Sequence, residues 1–457
     1  MSAHADSVYI PEIAIDVLEP GRRARKGRHP VVLGRDIEFS VAGLQSYAFA
    51  GWSPVIHDAM VLAAAVEYGD RVIKRPPHGW ARKISVRIPV HEPHVWNGPE
   101  VSSALHDAVE FLTGDYWTLE FVARSRLEAG PAQKDLRLGV ETKAVLAYSD
   151  GLDSRAVAGI QGQKLGETLV RVRVGSKSWD RAERNGAPEA FAKVPYDVRC
   201  DMPNRESSAR SRGFKFALIS IIAAHLSDAK EIIVPESGQG AIGPALLNVG
   251  HAYPDYRNHP LFTSRMERFA RALFGKQINF VFPRIWHTKG ETLREFISLP
   301  GDRDWLTTRS CWRSNRWSSV NRKLRQCGVC AACMLRRLSV HAAGLNEPPE
   351  TYICTNLSAS SLDGGIETGF TRKTRVFREY AIAGALHLDH LADMASDDAA
   401  PVVARHATLL APALGITREE ANTNLSELLR KHAGEWKTYL GSLEEHSFLK
   451  RWAKADR

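Results

Sequence analysis

The sequence predicts an α/β protein built on a parallel sheet, with a smaller α/β domain ahead of it and a helical tail behind. Three observations carry that expectation. From Lys143 onward, short apolar runs alternate with helix-compatible stretches, the sequence form of a parallel sheet covered on both faces. Ahead of that point, two segments alternate apolar and polar residues at the period of a half-buried strand, with a helical pattern between them. Beyond Cys333 the spacing is helical. At 457 residues the chain is too long for one ordinary core, and the expected division is 1–140, 141–345 and 346–457.

Composition excludes several classes. With 44% hydrophobic and 25% charged residues, the chain is neither disordered nor collagen-like. No apolar run approaches the ~18 residues that a bilayer span needs; the longest are Ala59 to Val66 and the stretch around Phe216 to Ala224. Asp6, Glu12, Asp16 and Glu19 precede any basic cluster, unlike a secretory signal or a transit peptide, so a soluble cytoplasmic protein without a membrane partner is expected. The net charge of +9 suits nucleic acid, an anionic substrate or mere solubility, and does not decide among them.

In the first domain, Ile84, Val86, Ile88 and Val90 mark a strand over Lys83 to Val90, and Trp117, Leu119 and Phe121 mark another. Leu105, Val109 and Leu112 place a helix over Ser103 to Thr113, and a further helix covers Ile56 to Tyr68. Gly21 to Arg28 reads as a basic, solvated turn, and Glu128 to Lys134 as a linker. The second domain offers strands at Ala144 to Tyr148, Leu169 to Val174, Ile232 to Val234 and Ile278 to Phe282, with a strongly apolar helix over Phe214 to His225. In such sheets ligands bind beyond the carboxyl ends of the strands, so the residues after each strand are the ones to examine. The tail shows helices over Arg378 to Met394 and Arg418 to Lys437.

Directly after the first of these strands come Ser149, Asp150, Gly151, Leu152, Asp153 and Ser154. A hydroxyl- and Gly-bearing turn entering a helix presents unpaired N–H groups and a positive dipole end to phosphate, and Asp153 can hold Mg²⁺. An ordinary turn with Ser154 as a cap is the competing reading. SDGLDS resembles the SGGxDS loop of the ATP pyrophosphatase superfamily, and the resemblance implies a HUP-like parallel-sheet fold that adenylates a carbonyl or carboxylate oxygen. Asp150 stands where that pattern has its first Gly, where a carboxylate either adds a magnesium ligand or repels phosphate.

Cys311, Cys327, Cys330 and Cys333 leave gaps of fifteen, two and two residues. Four thiolates so spaced suit a closed, structural Zn²⁺ site; an iron–sulfur cluster and unligated cysteines are the alternatives. Arg309 to Arg337 contains eight basic residues and no acid, expected near a negatively charged Zn(Cys)₄ centre and therefore discounted as a nucleic-acid signal. Cys327 to Arg336 resembles the CGxCxxCxxR element of 7-cyano-7-deazaguanine synthase. Ser211 to Phe214 is similar to that family's GRN element, Tyr253 to Arg257 to its YPDCR, and Pro283 to Thr292, with Lys289, to the segment carrying its Lys-x-Glu. The resemblance covers about residues 141 to 345.

The resemblance implies that Ser149, Gly151, Asp153 and Ser154 hold ATP phosphates and magnesium, and that Arg212 and Lys289 neutralise charge on the α-phosphate and the leaving pyrophosphate. It implies an ATP-dependent ligase acting on a 7-deazaguanine-type carboxylate, with ammonia as acceptor. Long forms of this family resemble components of antiphage-defence operons, which implies a partner protein as the other acceptor. A tRNA-modifying enzyme and an inactive nucleotide-binding module are the competing functions. Glu236 to Gly240, just past a strand, is a candidate substrate or metal site against a plain Gly-rich turn. His387, Asp389, His390 and Asp393 read as a solvated helix face, or else as ligands of a second metal. Cys200 and Cys354 read as structural thiols.

Overall fold

The computed structural model describes residues 10–39, 53–76, 79, 81–126, 141–149, 151–174, 196–203, 205–206, 209–250, 252–301, 304–313 and 318–453. Asp150, Arg316 and the linker segment Glu128 to Lys134 lie outside those residues. The chain divides into two compact units, each discontinuous in sequence. Residues 1–147, 167–233 and 262–281 make the first; residues 148–166, 234–261 and 282–457 make the second.

The first unit holds two main sheets. In the amino-terminal one, β1 (Glu12–Leu18) pairs with β2 (His29–Val32) on one side and with β3 (Lys83–Val90) on the other, and β3 pairs with β4 (Tyr116–Ala123). Every pairing is parallel, in the order β2-β1-β3-β4. Helix α1 (Pro54–Val72) lies between β2 and β3 in the chain, and α2 (Pro99–Thr113) between β3 and β4. The alternation of β3 buries Ile84, Val86 and Ile88, and α2 buries Leu105, Val109 and Leu112. Helix α2 stops at Gly114, whose φ of 67° is the left-handed geometry a helix end favours glycine for. Asp70 of α1 and Asp115 are buried but paired, because Arg82 reaches both, at 2.6 and 2.7 Å.

β1 alternates Ile13, Ile15 and Val17 but carries Glu12 and Asp16 on its other face, and β2 spans only four residues. Asp16 is nonetheless fully buried, because Arg28 Nε lies 2.5 Å from Oδ1 and Arg25 N donates to Oδ2 at 2.8 Å. The loop Gly21 to Arg28 is therefore not a solvated turn throughout: Arg28 folds onto β1 and also donates to the Ile15 carbonyl.

The second sheet comprises β5 (Ala144–Tyr148), which leads into α3 (Leu152–Leu165), then β6 (Leu169–Arg173), β7 (Glu231–Ile233) and β8 (Asn279–Val281), with α4 (Arg212–Leu226) ahead of β7. The order is β8-β7-β5-β6, and the β8·β7 and β7·β5 pairings are parallel. The parallel α/β expectation is met.

The second unit is mainly helical. It contains α3, α5 (Lys289–Ser298), α6 (Ala331–Ala342), α7 (Arg375–Asp393), α8 (Ala400–Leu414) and α9 (Arg418–Gly441). Leu152, Ala156 and Ile160 of α3 pack on Leu293 and Phe296 of α5. A Cβ at Gly159 would sit 2.3 Å from the Phe296 ring, so that glycine sets how closely α3 and α5 approach. Helices α8 and α9 share a core of Val403, Ala407, Leu410, Leu425 and Leu428.

The α7 face with His387 and Asp389 is not solvated, nor is it a metal site. Both residues are buried; Asp389 accepts a hydrogen bond from Trp436 Nε1 at 3.0 Å, and the His387 pKa is pushed down to about 4 by burial and by neighbouring imidazoles. His390 and Asp393 stay exposed, and among the described residues the four do not form a metal-ligating group. Among the described residues, no single helix is long and apolar enough to cross a membrane.

Candidate active site and cysteine centre

The turn after β5 enters α3 through Gly151, which is extended at φ −76° and ψ 154°. Ser149 Oγ lies 2.9 Å from Ser154 Oγ and accepts the Gly151 N–H at 3.3 Å, so the two hydroxyls face one another across the start of the helix. The N–H groups of the first turn are without intrahelical partners there, and the helix dipole favours an anion. Asp153 and Ser154 are nearly enclosed, whereas Leu152 packs into the α3–α5 core and anchors the turn.

Asp153 is the centre of a polar cluster. Its Oδ2 accepts the Lys289 ammonium, and its Oδ1 accepts Ser237 Oγ at 3.1 Å. Glu236 adjoins it, and burial and the Asp153 charge push the Glu236 pKa up. Asn258 Nδ2 donates to Glu236 Oε2 at 3.1 Å. Two carboxyl groups with one lysine between them form a site that gains from a divalent cation. The segment Glu236 to Gly240 is thus part of this site and not a plain turn. Its glycines have a steric reason: a Cβ at Gly238 would lie 2.1 Å from the Ile285 carbonyl oxygen, and one at Gly240 would lie 2.2 Å from Glu236 Oε1.

Lys289 is held by its own backbone. It is the first residue of α5, and Thr288 caps that helix: Thr288 Oγ1 accepts Glu291 N at 3.0 Å, while Glu291 Oε2 accepts Thr288 N at 2.8 Å. Gln239 Oε1 accepts Lys289 N at 2.8 Å. The Gln239 amide in turn donates to His432 Nδ1 at 2.8 Å, and His432 Nε2 donates to the Leu388 carbonyl at 2.8 Å. Burial holds that imidazole neutral, with its pKa near 4. Glu435 accepts Thr288 Oγ1 at 2.5 Å. Residues of α9 therefore buttress the lysine from the far end of the chain.

Burial raises the Glu435 pKa to about 7 from an ordinary 4.5. The folded state then keeps a proton that the unfolded chain releases above about 4.5, so the contribution of this group to stability falls as pH rises from 4.5 to 7. Glu435→Gln is expected to match the parent in thermal melts near pH 4 and to exceed it near pH 8. Equal melting at both pH values would show that burial does not raise the Glu435 pKa.

In the Tyr253 to Arg257 segment, Arg257 Nε lies 2.8 and 2.9 Å from the two Asp255 oxygens. Arg212 belongs to the first unit, at the start of α4, with its guanidinium 5.0 Å from the centre of the Phe216 ring; it is not among the side chains that the second unit gathers around Asp153.

The four cysteines converge. The sulfurs of Cys311, Cys327, Cys330 and Cys333 all lie within 4.8 Å of one another, with Cys327 and Cys333 3.8 Å apart. Ligands ~2.3 Å from a tetrahedral zinc lie roughly 3.8 Å apart, so the donor set fits Zn²⁺. Backbone N–H groups of Cys327 and Arg313 point at Cys311 Sγ, at 3.2 and 3.3 Å, and Cys330 N points at Cys327 Sγ at 3.3 Å. The knuckle turns at Gly328, whose φ is 82° and where a Cβ would meet the Cys354 carbonyl oxygen at 2.8 Å. Arg336, expected to balance the charge of the centre, is instead fully buried between Glu347 at 2.8 Å and Thr308 Oγ1 at 2.6 Å, and fixes the loop that carries Trp305. Cys200 and Cys354 are buried thiols, as expected.

Thr288, Asn258, His432 and Glu435 were not legible as site residues. The spacing Thr288-Lys-Gly-Glu291 was the available signal, since it is a capping-box pattern that locates the start of α5 at Lys289.

The fold and site together define an α/β chain with a hydroxyl-bearing strand-to-helix turn and a four-thiol centre. The family described as queuosine biosynthesis protein QueC matches residues 237–344, so the chain carries a QueC domain within a longer protein. The matched segment contains Ser237, Lys289 and all four clustered cysteines; Asp153 and Glu236 precede it. No curated protein and no solved structure matches the chain.

Proposed function

We propose that this chain is a QueC-like, ATP-dependent ligase that adenylates the carboxylate of a 7-carboxy-7-deazaguanine-type acid and passes the acyl group to an amine. The convergence of Asp153, Glu236, Ser237 and Lys289 beside the Ser149 to Ser154 turn carries the reading. ATP makes the acyl oxygen a good leaving group: that oxygen attacks the α-phosphorus and expels pyrophosphate, and AMP departs when the amine attacks the acyl carbon.

In this reading Ser149, Gly151, Ser154 and the first-turn N–H groups of α3 hold the phosphates, with Leu152 as anchor. Asp153 and Glu236 would hold Mg²⁺. Lys289 counters the charge that builds on the leaving pyrophosphate. The four cysteines would hold a structural Zn²⁺. In this reading the synthase-like part is 141–345, and a small-molecule synthase needs neither 1–140 nor 346–457. On that ground the acceptor to test beside ammonia is an amine on a partner protein, in the antiphage-defence setting suggested by the long forms of the family.

The test is release of AMP and pyrophosphate from ATP and Mg²⁺ with 7-carboxy-7-deazaguanine, beside Asp153→Ala, with mass spectrometry of every product. Acid-dependent release that disappears in the variant is expected. Release that ignores the acid, or survives in Asp153→Ala, would overturn the proposal.

A further inference from the structure

The Lys289 N–H is one of the donors at the start of α5 that find no partner within the helix. The capping box satisfies its neighbours, since the Glu291 and Thr288 side chains take Thr288 N and Glu291 N, and it leaves Lys289 N to Gln239 Oε1 at 2.8 Å. The segment that carries Gln239 also holds the other partner of the lysine. Ser237 donates to Asp153 Oδ1, and Gly238 N donates to the His287 carbonyl at 3.0 Å, next to the helix start. Gln239 thus sets where the Lys289 main chain stands relative to Asp153.

The surroundings allow that amide one orientation. Gln239 and His432 are both buried, so neither can turn to water for a partner. The Leu388 carbonyl only accepts, so His432 carries its hydrogen on Nε2, 2.8 Å away, and turns the Nδ1 lone pair toward Gln239. Gln239 Nε2 donates to that lone pair at 2.8 Å and to Glu435 Oε2 at 3.3 Å, which occupies both of its hydrogens. Turning the amide over would set its oxygen against the imidazole lone pair and its NH₂ group against the Lys289 N–H. Acceptor would then face acceptor, and donor would face donor.

We infer that His432 and Gln239 are positioning residues for Lys289: the imidazole of α9 fixes the amide, and the amide fixes the first residue of α5, so that the ammonium meets Asp153. The inference rests on the part given to Lys289 in the proposed reaction and adds the tail to it. Gln239 and Lys289 lie within the residues that match the QueC family, whereas His432 lies beyond them. A helix from outside the matched segment therefore completes the support of a residue inside it. Because the link governs the placement of a charge that acts as pyrophosphate departs, its loss should lower kcat and leave ATP binding largely unchanged.

His432→Leu in the full chain removes the acceptor. Hydrogen exchange of the Lys289 amide, read without ATP, is expected to speed at least about tenfold, while that of the Glu291 amide, held by Thr288, stays within about twofold. The kcat of acid-dependent AMP release should fall about tenfold with the KM for ATP within about twofold. His432→Asn puts a carboxamide oxygen near the place of Nδ1 and should bring both readouts to within about threefold of the parent. With Gln239→Met already present, His432→Leu should add nothing further to either. If His432→Leu does not fold, Gln239→Met carries the test alone, with the same selective change at Lys289. The proposal is overturned by Lys289 exchange that keeps the parent rate in either folded variant, by equal acceleration at Lys289 and Glu291, which would mean a loosened helix start, or by effects of the two substitutions that simply add. A parent that releases no AMP would overturn the proposed reaction alone, because the amide readout does not depend on turnover.

Discussion

Lys289→Met should lower acid-dependent AMP release by about 10²- to 10³-fold, or roughly 3–4 kcal/mol of transition-state stabilisation, the range for removing one preorganised electrostatic donor. The size follows from enclosure. Lys289 is 7% exposed and its ammonium is fixed on Asp153 from a capped helix start, so the charge is already in place when the phosphate departs. The same substitution strands two carboxyl groups, Asp153 and Glu236, without their cation. Breaking a buried pair costs about 3–5 kcal/mol when the remaining charge cannot escape. Pyrophosphate release at saturating ATP, read beside a thermal melt, separates the two effects. If the variant melts like the parent and retains activity within threefold of it, Lys289 has no role in the chemistry.

Cys330→Ser should abolish metal binding and unfold much of the second unit. The cluster lies within an apolar core that includes Met334 and Leu338 of α6, Phe377 and Leu388 of α7, and Trp436 and Tyr439 of α9. Gly384 of α7 sits so close to the knuckle that a Cβ would lie 2.7 Å from Ala331 N. The helices are thus moulded on the cysteine loop, whose regular structure ahead of α6 is, among the described residues, a short hairpin of Ser319–Val320 with Lys323–Leu324. Structural zinc supplies about 10–16 kcal/mol of apparent binding energy in small zinc modules, more than a typical domain's total stability. Elemental analysis should find one zinc per chain in the parent and none in Cys330→Ser, with a large loss of far-ultraviolet helical signal. Iron in place of zinc would identify a cluster of another kind, and a folded, metal-free variant would remove the structural role.

What the sequence made legible was local. Lys83 to Val90 and Ala144 to Tyr148 alternate or run apolar over their whole length, and the structure places strands at those residues. The cysteine spacing is an equally short-range pattern, and the four sulfurs converge as it suggests. The illegible parts depend on partners far away in the chain. Asp16 looks wrong for a strand until Arg28 is placed on it. Asp389 looks solvated until Trp436 arrives from another helix. Glu435 is 147 residues from Thr288, and no periodicity links a tail helix to a helix cap.

The pieces of this site are delivered by segments that the ribosome completes at very different times. Asp153 emerges early, Ser237 and Lys289 follow, and the His432 and Glu435 supports come only with α9, which ends at Gly441. At about 5–20 residues per second, tens of seconds of synthesis separate the phosphate turn from the helix that fixes its lysine. A nascent chain stalled before residue 418 would display the complete turn and the complete cysteine knuckle but lack that support. If the proposed reaction holds, competence would come only once α9 has been made, so that chains lacking it would not consume ATP.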